Sequence, residues 1–477
     1  MEILDKIISK ISINFTRILF VIIILGMLFI NSIYLYIDMP AFKINNVYSY
    51  LSILINIFLF IILVVIDKVF LSKFKNNKYI NKILLLLYFV LEIVYIKMVP
   101  LKPFSDMKSV TDIALSNFKN NMEYLKIYPN NVPIAILFNI IFRITNYNTI
   151  YIKIFNIICN VLIIYFAYGT YKNIYKKDNR IILLFGIFNI SSFIYVNHVY
   201  NDIVFVALIM GALYLITKEG SKNRINIVVI SVLLFLQYII RPVGIITIIA
   251  FIMYYILKHR DIKKVIVIVS VFILCNMIYL QIEKRIIPES EEKYPIWSFI
   301  QMGINEEEFG FQDGTHSKEW SFEDVQNRIK ELGTKRLIKL LCKKQYWLWT
   351  EGTYQAERYA FGAGDEERFT YETAITKKIV DEENSKLRKS IEYIMKGQYF
   401  ILIILSFIDL IIKDKNKDIE DKEELLLYII IGLFCFYTIW EMKSRYIYCL
   451  YPIFLIFSTS GTQKIINKFK KERKIKK

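Results

Sequence analysis

Residues 225–257 read INIVVISVLLFLQYIIRPVGIITIIAFIMYYIL, two apolar blocks that meet at Arg241 and Pro242. An α-helix that crosses a lipid bilayer needs roughly 20 predominantly apolar residues. A soluble domain cannot cover two such blocks placed end to end, whereas a bilayer solvates both. The stretch therefore predicts two adjacent membrane-spanning helices joined by a tight turn.

The same pattern of apolar blocks and short charged clusters extends over the whole chain of 477 residues. Hydrophobic residues make up 55% of the sequence and charged residues only 22%, which leaves too few polar residues to cover a soluble protein of this size. We predict an all-α polytopic membrane protein with about 12 transmembrane helices. This composition excludes soluble enzymes, secreted disulfide scaffolds and nucleic-acid regulators. The predicted spans are 18–37, 50–67, 82–98, 149–170, 181–197, 202–217, 225–240, 242–257, 265–281, 398–413, 424–440 and 446–462.

Basic residues give the chain a formal net charge of +18 and cluster in the short loops between the apolar blocks. Lys and Arg hold loops on the cytoplasmic side of a membrane, so these clusters and both termini are predicted to be cytoplasmic. If the short block 132–145 crossed the membrane, every later loop would lie on the opposite side and the basic clusters would be outside. The block is therefore predicted to lie at the membrane interface or to be half-inserted.

This topology divides the chain into five parts in the cytoplasmic (plasma) membrane. They are an N-terminal three-span region (1–98), a first extracytoplasmic segment (99–148), a six-span core (149–281), a large extracytoplasmic segment (282–397), and a three-span C-terminal region with a basic cytoplasmic tail (398–477). An ordinary channel or carrier does not need large outer segments, whereas an enzyme that works on the outer face does.

The first outer segment holds an amphipathic pattern over residues 104–125, where apolar residues recur every three or four positions. The pattern predicts one helix lying along the lipid interface. Asp106 stands at its start and has two interpretations. It is either a carboxylate that caps the helix or a catalytic base at the membrane surface.

Further charged groups stand at the outer ends of other predicted spans: Asp202, Arg241, Lys443 and Arg445. Charges near membrane depth are costly and point into a cavity or pair with one another. One interpretation is a structural pair such as Asp202 with Arg241. The other is a site for a lipid-borne phosphate, because the planar guanidinium of Arg donates two parallel hydrogen bonds to phosphate.

The second outer segment contains Ser321-Phe322-Glu323-Asp324, which resembles a capping box in which Asp takes the place of the usual Glu. The apolar positions that follow predict a broken helix leading to the aromatic stretch Tyr346–Trp349. We expect this segment to form a small cap over an outer cavity.

Four stretches, in this order along the chain, resemble the GT-C membrane glycosyltransferases. The likeness is closest to the bacterial family 39 members of the protein O-mannosyltransferase and aminoarabinose transferase type. The four stretches are Pro103–Asp106 with the following helix, Tyr128–Pro133 continuing to Arg143, Asn201-Asp202 at the head of a span, and Glu441–Tyr448 before the last span.

The resemblance implies a sugar donor linked to a polyprenyl phosphate, such as undecaprenyl phosphate, and transfer by inverting displacement on the outer face. Asp106 would be the catalytic base, and Arg241, Lys443 and Arg445 would bind the donor phosphate. Asp202 would orient the acceptor or, with Asp106, hold a divalent cation. The supporting residues would be Tyr128, Glu441 and Tyr446.

The expected partners are the donor lipid, the surrounding membrane lipids and an acceptor in the bacterial cell envelope, which is a glycan, a glycolipid or a protein. No nucleic-acid partner is expected. Two alternatives remain open. An envelope glycan polymerase or ligase would use similar lipid-linked sugars, and a lipid or sugar transporter (flippase) would also have many spans, although with repeated halves.

Overall fold

The computed structural model describes residues 2–29, 46–74, 79–218, 224–288, 293–307, 310, 317–356, 359, 375, 386–412 and 421–475. These residues form helices and connecting turns, with no β-strand among them. The prediction of an all-helical protein is therefore confirmed for the described part of the chain. The second half of the first predicted span, 18–37, lies outside the described residues.

The helices of the first half run from the N-terminus into the first outer segment and beyond it. They are α1 (Glu2–Phe29), α2 (Asn46–Val65), α3 (Ile80–Met98), α4 (Ser105–Leu115), α5 (Met122–Ile127), α6 (Val132–Ile144), α7 (Ile150–Tyr175), α8 (Ile181–Ile187) and α9 (Ile190–Tyr195). The remaining described helices are α10 (Asp202–Thr217), α11 (Arg224–Ile240), α12 (Ile245–Tyr254), α13 (Ile262–Ile286), α14 (Ile296–Gly303), α15 (Phe322–Thr350), α16 (Lys386–Ile411), α17 (Asp421–Ile439) and α18 (Tyr451–Ile475).

Six helical stretches of the described chain are long and apolar enough to cross a membrane. They are Ile3–Leu28, Val47–Phe74, Ile150–Tyr175, Pro242–His259, Ile262–Ile286 and Lys386–Ile411. This number is smaller than the number of spans predicted from the sequence, because several predicted spans form helices that are shorter or less apolar. The structure is compatible with a helical membrane protein.

The predicted span 181–197 is not one helix. It divides into α8 and α9, and α9 has its own N-cap at Asn189, whose side chain accepts a hydrogen bond from the Ser192 backbone N–H at 2.9 Å. An Asn side chain that satisfies the first turn of a new helix competes with continuation of the preceding helix. The segment 181–197 is therefore not one continuous helix.

The centre of the bundle is α16, which packs against α1, α2 and α18. The contact with α18 is close because it uses a small residue: a Cβ added to Gly461 would lie 2.9 Å from the carbonyl carbon of Leu405. Small residues at such crossings let helix backbones approach, which is the usual packing device inside a membrane. A second set of contacts joins α7 to α10, α10 to α11, and α11 to α13.

Helix α13 stands at the edge of the bundle. It packs mainly on α11, and only 6% of its most apolar stretch is buried. Ile273, Leu274 and Met277 are among its exposed side chains. A helix that is apolar and exposed over most of its length matches a lipid environment.

The large outer segment begins with α14 and α15, which share a small apolar core of Ile304, Val325, Leu332 and Leu340. The predicted capping box is confirmed, because Ser321 and Asp324 exchange side chain–backbone hydrogen bonds. The predicted break is confirmed as well, since Gly333 interrupts α15 with a φ of +63°. Beyond this break, α15 packs on α1 and α17, and α14 forms one wall of an outer cavity.

Candidate functional site

The first outer segment folds back on itself. Residues 104–125 form two helices, α4 and α5, and the turn between them contains left-handed residues at Asn117, Phe118 and Asn121. The Asn117 side-chain oxygen accepts hydrogen bonds from Asn139 at 2.9 Å and Arg143 at 3.1 Å, both on α6. These bonds hold α4 against α6, so the prediction of one continuous helix is wrong.

Asp106 is the second residue of α4 and does not cap it. The N-cap residue is Phe104, and no side chain forms a capping hydrogen bond there. The interpretation of Asp106 as a cap is therefore wrong, although a carboxylate in the first turn of a helix still interacts favourably with the helix dipole. The Asp106 side chain is half-buried and lines a cavity.

This cavity has a volume of about 450 Å³. Its walls come from six parts of the chain: the start of α4, α5 with the turn before α6, the turn before α10, the turn between α11 and α12 with the neighbouring face of α13, the start of α14, and residues 436–446. Seven of the eight predicted site residues line it: Asp106, Tyr128, Arg241, Glu441, Lys443, Arg445 and Tyr446. The structure thus brings together residues that are more than 300 positions apart in the sequence.

Three cations meet around the ring of Tyr446. The guanidinium carbon of Arg241 lies 4.9 Å from the ring centroid, that of Arg445 lies 5.5 Å away, and Lys443 Nζ lies 5.9 Å away. The Tyr446 hydroxyl donates a hydrogen bond to Glu441, which fixes the ring between the charges. Such cation–π contacts orient the side chains but do not neutralise them.

Asp202, the eighth predicted residue, lies behind this cluster and does not line the cavity. Its side chain is 1% exposed, and one oxygen accepts from Arg241 at 2.5 Å while the other lies 2.9 Å from Nε2 of His198. The structural pair of Asp202 with Arg241 is therefore present. Because both carboxylate oxygens are engaged, Asp202 does not suit a divalent cation, and no group of His, Cys, Asp and Glu among the described residues could hold a metal.

The Asp202 carboxylate stabilises the charge of Arg241. Burial alone would lower the pKa of Arg241, but the carboxylate outweighs burial, and the pKa is raised. Arg241 is thus a fixed, permanently charged group at the cavity wall.

Arg445 is different, because no carboxylate balances it directly. It is 6% exposed, forms no ion pair with any described residue, and its Nε has no hydrogen-bond partner among them. Its near neighbours are the rings of Tyr359 at 4.4 Å and Tyr200 at 5.5 Å. A buried guanidinium without an anion is costly, so this geometry is suited to an anionic ligand in the cavity.

A chain of neutral polar groups connects this cluster to the wall that holds Asp106. The Tyr200 hydroxyl donates to the Asn131 side chain at 2.6 Å, and Asn131 donates to the Tyr124 hydroxyl at 3.0 Å. Burial, the Tyr200 hydroxyl and the Asp106 carboxylate all raise the pKa of Tyr124. Tyr124 therefore remains a protonated phenol beside Asp106.

Tyr128 lies beside Tyr124 on the same wall, with ring centroids 5.2 Å apart, and its ring is 5.5 Å from that of Tyr294. Burial, with smaller contributions from Tyr294 and Asp106, raises the pKa of Tyr128 to about 12. The three rings form an aromatic surface next to the carboxylate.

Another wall of the cavity is formed by α11 and α13. Tyr238 and Ile239 from α11 line it together with Tyr279 and Leu280 from α13, and the polar Asn276 and Glu283 of α13 line it as well. Because α13 is exposed over most of its length, this side connects the charged end of the cavity with the surface that matches lipid.

Residues of the large outer segment hold in place the stretch 441–446, which carries Lys443 and Arg445. The backbone N–H of Glu441 donates to Phe299 at 3.1 Å, and that of Met442 donates to Gly310 at 2.8 Å. Gly303, at the end of α14, leaves no room for a side chain, since a Cβ would lie 2.6 Å from the carbonyl carbon of Trp440. Lys344 donates to the carbonyl of Gly303 at 2.8 Å.

The sequence predictions assign no role to His198, Tyr200 or Asn131. The spacing of four residues between His198 and Asp202 was a usable signal, because side chains four apart can meet along one turn of helix. Tyr200 and Asn131 give no such signal in a chain with 34 tyrosines. No family model, curated protein or solved structure matches this chain.

Proposed function

We propose that this protein is a membrane glycosyltransferase that moves a sugar from a polyprenyl-phosphate donor to an acceptor at the outer face of the cytoplasmic membrane. One observation carries the proposal. Two groups line the same cavity: Arg445, which is buried and forms no ion pair with any described residue, and Asp106, a carboxylate that neither caps its helix nor forms an ion pair with any described residue. Each of the four sequence stretches that resemble the GT-C enzymes supplies at least one residue of this cavity, Asp106 and Arg445 among them.

The cation cluster supports a phosphate site. Asp202 balances Arg241, whereas Arg445 lines the cavity and forms no ion pair with any described residue. A donor phosphodiester carries one negative charge, and the lipid phosphate that departs carries up to two. Cations held in a low-dielectric pocket stabilise the state in which that charge develops, so Arg445 favours departure of the lipid phosphate.

Asp106 supplies the other half of the reaction. The acceptor hydroxyl oxygen attacks the anomeric carbon, and its proton passes to the Asp106 carboxylate. The bond between the anomeric carbon and the phosphate oxygen breaks, and both electrons leave with the polyprenyl phosphate. A single displacement of this kind inverts the anomeric configuration. Tyr124, which stays protonated, is suited to donating a hydrogen bond to Asp106 and keeping its carboxylate oriented.

The wall formed by α11 and α13 supports a lipid-linked donor, because it carries apolar and aromatic side chains and α13 is exposed over most of its length. A polyprenyl chain can lie along α13 and α11 while its phosphate reaches Arg445, so the donor need not leave the bilayer. We propose twelve crossings, with both termini in the cytoplasm, which puts the cavity at the outer face. Nucleotide sugars are confined to the cytoplasm, and this location therefore favours a lipid phosphosugar.

The test is release of polyprenyl phosphate from a panel of polyprenyl-phosphate sugars, with purified protein in lipid and crude envelope acceptor. We expect release by the wild type and a loss of about a hundredfold or more in Asp106→Asn, because that variant cannot accept the proton. The matched control is Asp112→Asn on the same helix, whose side chain does not line the cavity. Equal release by Asp106→Asn and Asp112→Asn would reject the base, and no release from any donor would reject the proposed function.

A further inference from the structure

His198 is a buried titratable group that the proposed reaction does not use directly. It is 1% exposed and lies in the turn that precedes α10. Its Nε2 is 2.9 Å from the Asp202 carboxylate, while Nδ1 is buried and has no hydrogen-bond partner among the described residues. This asymmetry between the two nitrogens determines the tautomer.

A carboxylate only accepts hydrogen bonds, so Nε2 must carry a proton to bond with Asp202. A proton on Nδ1 as well would be buried without an acceptor, which costs free energy. The neutral ring with its proton on Nε2 is therefore the form that fits this site.

The groups around the ring favour the same form. The facing charged groups are Asp202 from α10, Arg241 from the turn after α11, and Arg445 from the stretch before α18. Burial and the two arginines lower the pKa of His198, and the bond to Asp202 raises it. The net effect is a lowered pKa. The aromatic neighbours are Tyr195, Tyr200 and Tyr359, whose rings lie 5.4 to 5.8 Å from the imidazole.

We infer that His198 is a positioning residue for the cation cluster: its Nε2–H fixes the Asp202 carboxylate, which in turn fixes Arg241 against the cavity wall. The relay runs from His198 to Asp202 to Arg241, with bonds of 2.9 Å and 2.5 Å. His198 itself touches no ligand in the cavity, because it does not line it. The inference rests on the proposed function only in naming lipid phosphate as the anion that the cation cluster receives.

The competing explanation is a simple packing role, in which His198 only fills space among the three tyrosine rings. Two substitutions separate these explanations. His198→Gln keeps an N–H donor that can reach Asp202 but has no aromatic ring. His198→Phe keeps an aromatic ring and loses the donor.

The experiment measures binding of polyprenyl phosphate to purified protein in lipid nanodiscs. His198→Phe should weaken binding about tenfold, because the buried carboxylate loses a charge-assisted hydrogen bond and no longer holds Arg241 rigidly. His198→Gln should stay within about threefold of wild type because the donor is retained. The matched control is His259→Phe, an exposed histidine after α12 that does not line the cavity, and it should bind as the wild type does.

A double-mutant cycle with Asp202→Asn tests the relay itself. If His198 acts through Asp202, adding His198→Phe to Asp202→Asn should cause no further loss of binding. A further tenfold loss in the double variant, wild-type binding by His198→Phe, or failure of His198→Gln to bind would each overturn the inference. Lack of polyprenyl phosphate binding by the wild type would overturn it too.

A second readout does not depend on ligand or turnover. Nitrogen-15 NMR of histidine-labelled protein at pH 7 should show a neutral His198 with its proton on Nε2, and the chain has only three histidines to assign. An imidazolium or the Nδ1–H tautomer would overturn the inference. Binding that depends on His198, without sugar release from any donor, would support the relay and reject the proposed function. Sugar release that is unaffected in His198→Phe would reject the relay and support the proposed function.

Discussion

At the scale of single residues, the contrast between two buried cations separates a structural role from a binding role. Lys258, near the end of α12, contacts Asp5 and Glu424 at 2.8 Å each, and its charge is fully balanced. Arg445 has comparable burial and no carboxylate partner among the described residues. Other buried cations are satisfied by the protein, Lys258 by carboxylates and Lys344 by the backbone carbonyl of Gly303. Among the described residues Arg445 has no ion pair and no partner for its Nε, which marks a position for an external anion.

Substitution of Arg445 tests this conclusion. Arg445→Gln should reduce polyprenyl phosphate release about a hundredfold, because the departing phosphate loses a charge-assisted donor in a water-poor pocket. Arg445→Lys should recover part of the loss, since a lysine keeps the charge but not the planar fork. The control is Arg336→Gln on α15, whose side chain is 60% exposed. Wild-type release by Arg445→Gln would show that the cluster does not act on the leaving group.

Lys344 gives a prediction about pH and stability. Burial lowers its pKa to about 7 from 10.5. Between these values the unfolded chain holds the Lys344 proton and the folded protein does not, so folding stability rises with pH across this window and is constant below it. The melting temperature of the wild type should therefore rise relative to Lys344→Met as the pH increases from 7 to about 9. Lys339→Met, at an exposed position of the same helix, should show a difference from wild type that does not change with pH.

At the scale of elements, the predicted helices are broken by two kinds of signal, one local in the sequence and one that depends on a distant partner. The break after α4 depends on Asn117, whose partners Asn139 and Arg143 lie on α6. Local periodicity predicts a helix over this region, and it cannot reveal a partner more than twenty positions away. The break in α15 was predictable, because Gly333 interrupts its own helix. A helix break with a local cause could be predicted from the sequence, whereas a break that depends on tertiary hydrogen bonds could not.

The same difference applies to the candidate site. Charged residues at the ends of apolar blocks are conspicuous, so Asp106, Arg241 and Arg445 could be selected from the sequence. The pair of Asp202 with Arg241 could be named as an alternative on charge alone. Nothing in the sequence shows that the N-cap of α4 is Phe104, so the exclusion of a capping role for Asp106 required the structure.

The contact between α14 and the stretch before α18 makes Gly303 a sensitive position. Gly303→Ala should destabilise the protein by about 1–3 kcal/mol, because the added methyl group collides with backbone atoms that cannot move aside. Melting temperature and release should both fall, since Glu441 and Lys443 depend on this contact for their position. The control is Gly211→Ala in α10, where the nearest atom would lie 3.5 Å away. Equal melting temperatures for the two variants would contradict the tight contact.

At the scale of the whole molecule, the proposed topology puts the cavity, α14 and α15 on one side of the membrane and the basic C-terminal helix on the other. The cavity joins parts of the chain from α4 to residue 446. A site assembled from so many segments forms only when most of the bundle has folded. We therefore expect that truncation within the described helices abolishes the site.

Cysteine labelling tests this topology. Cys342 is exposed on α15, and a variant that retains only this cysteine should react with a membrane-impermeant maleimide in intact cells. The Lys470→Cys variant of a cysteine-free protein should react only after permeabilisation, because the basic tail is proposed to be cytoplasmic. Alanine replaces Cys159, Cys275, Cys435 and Cys449 in both proteins, and it also replaces Cys342 in the protein that carries Lys470→Cys. Labelling of the tail in intact cells would reverse the proposed orientation.

The two backbone hydrogen bonds from Glu441 and Met442 to Phe299 and Gly310 have a consequence for protein engineering. A chimera that exchanges the outer segment alone would bring a foreign backbone to a stretch whose N–H groups need acceptors at fixed positions. The outer segment and the stretch 439–446 therefore form one exchangeable cassette, although the second half of α16 and most of α17 lie between them in the sequence. Chimeras that transfer both parts should fold and keep the recipient's membrane bundle, whereas chimeras that transfer either part alone should accumulate poorly.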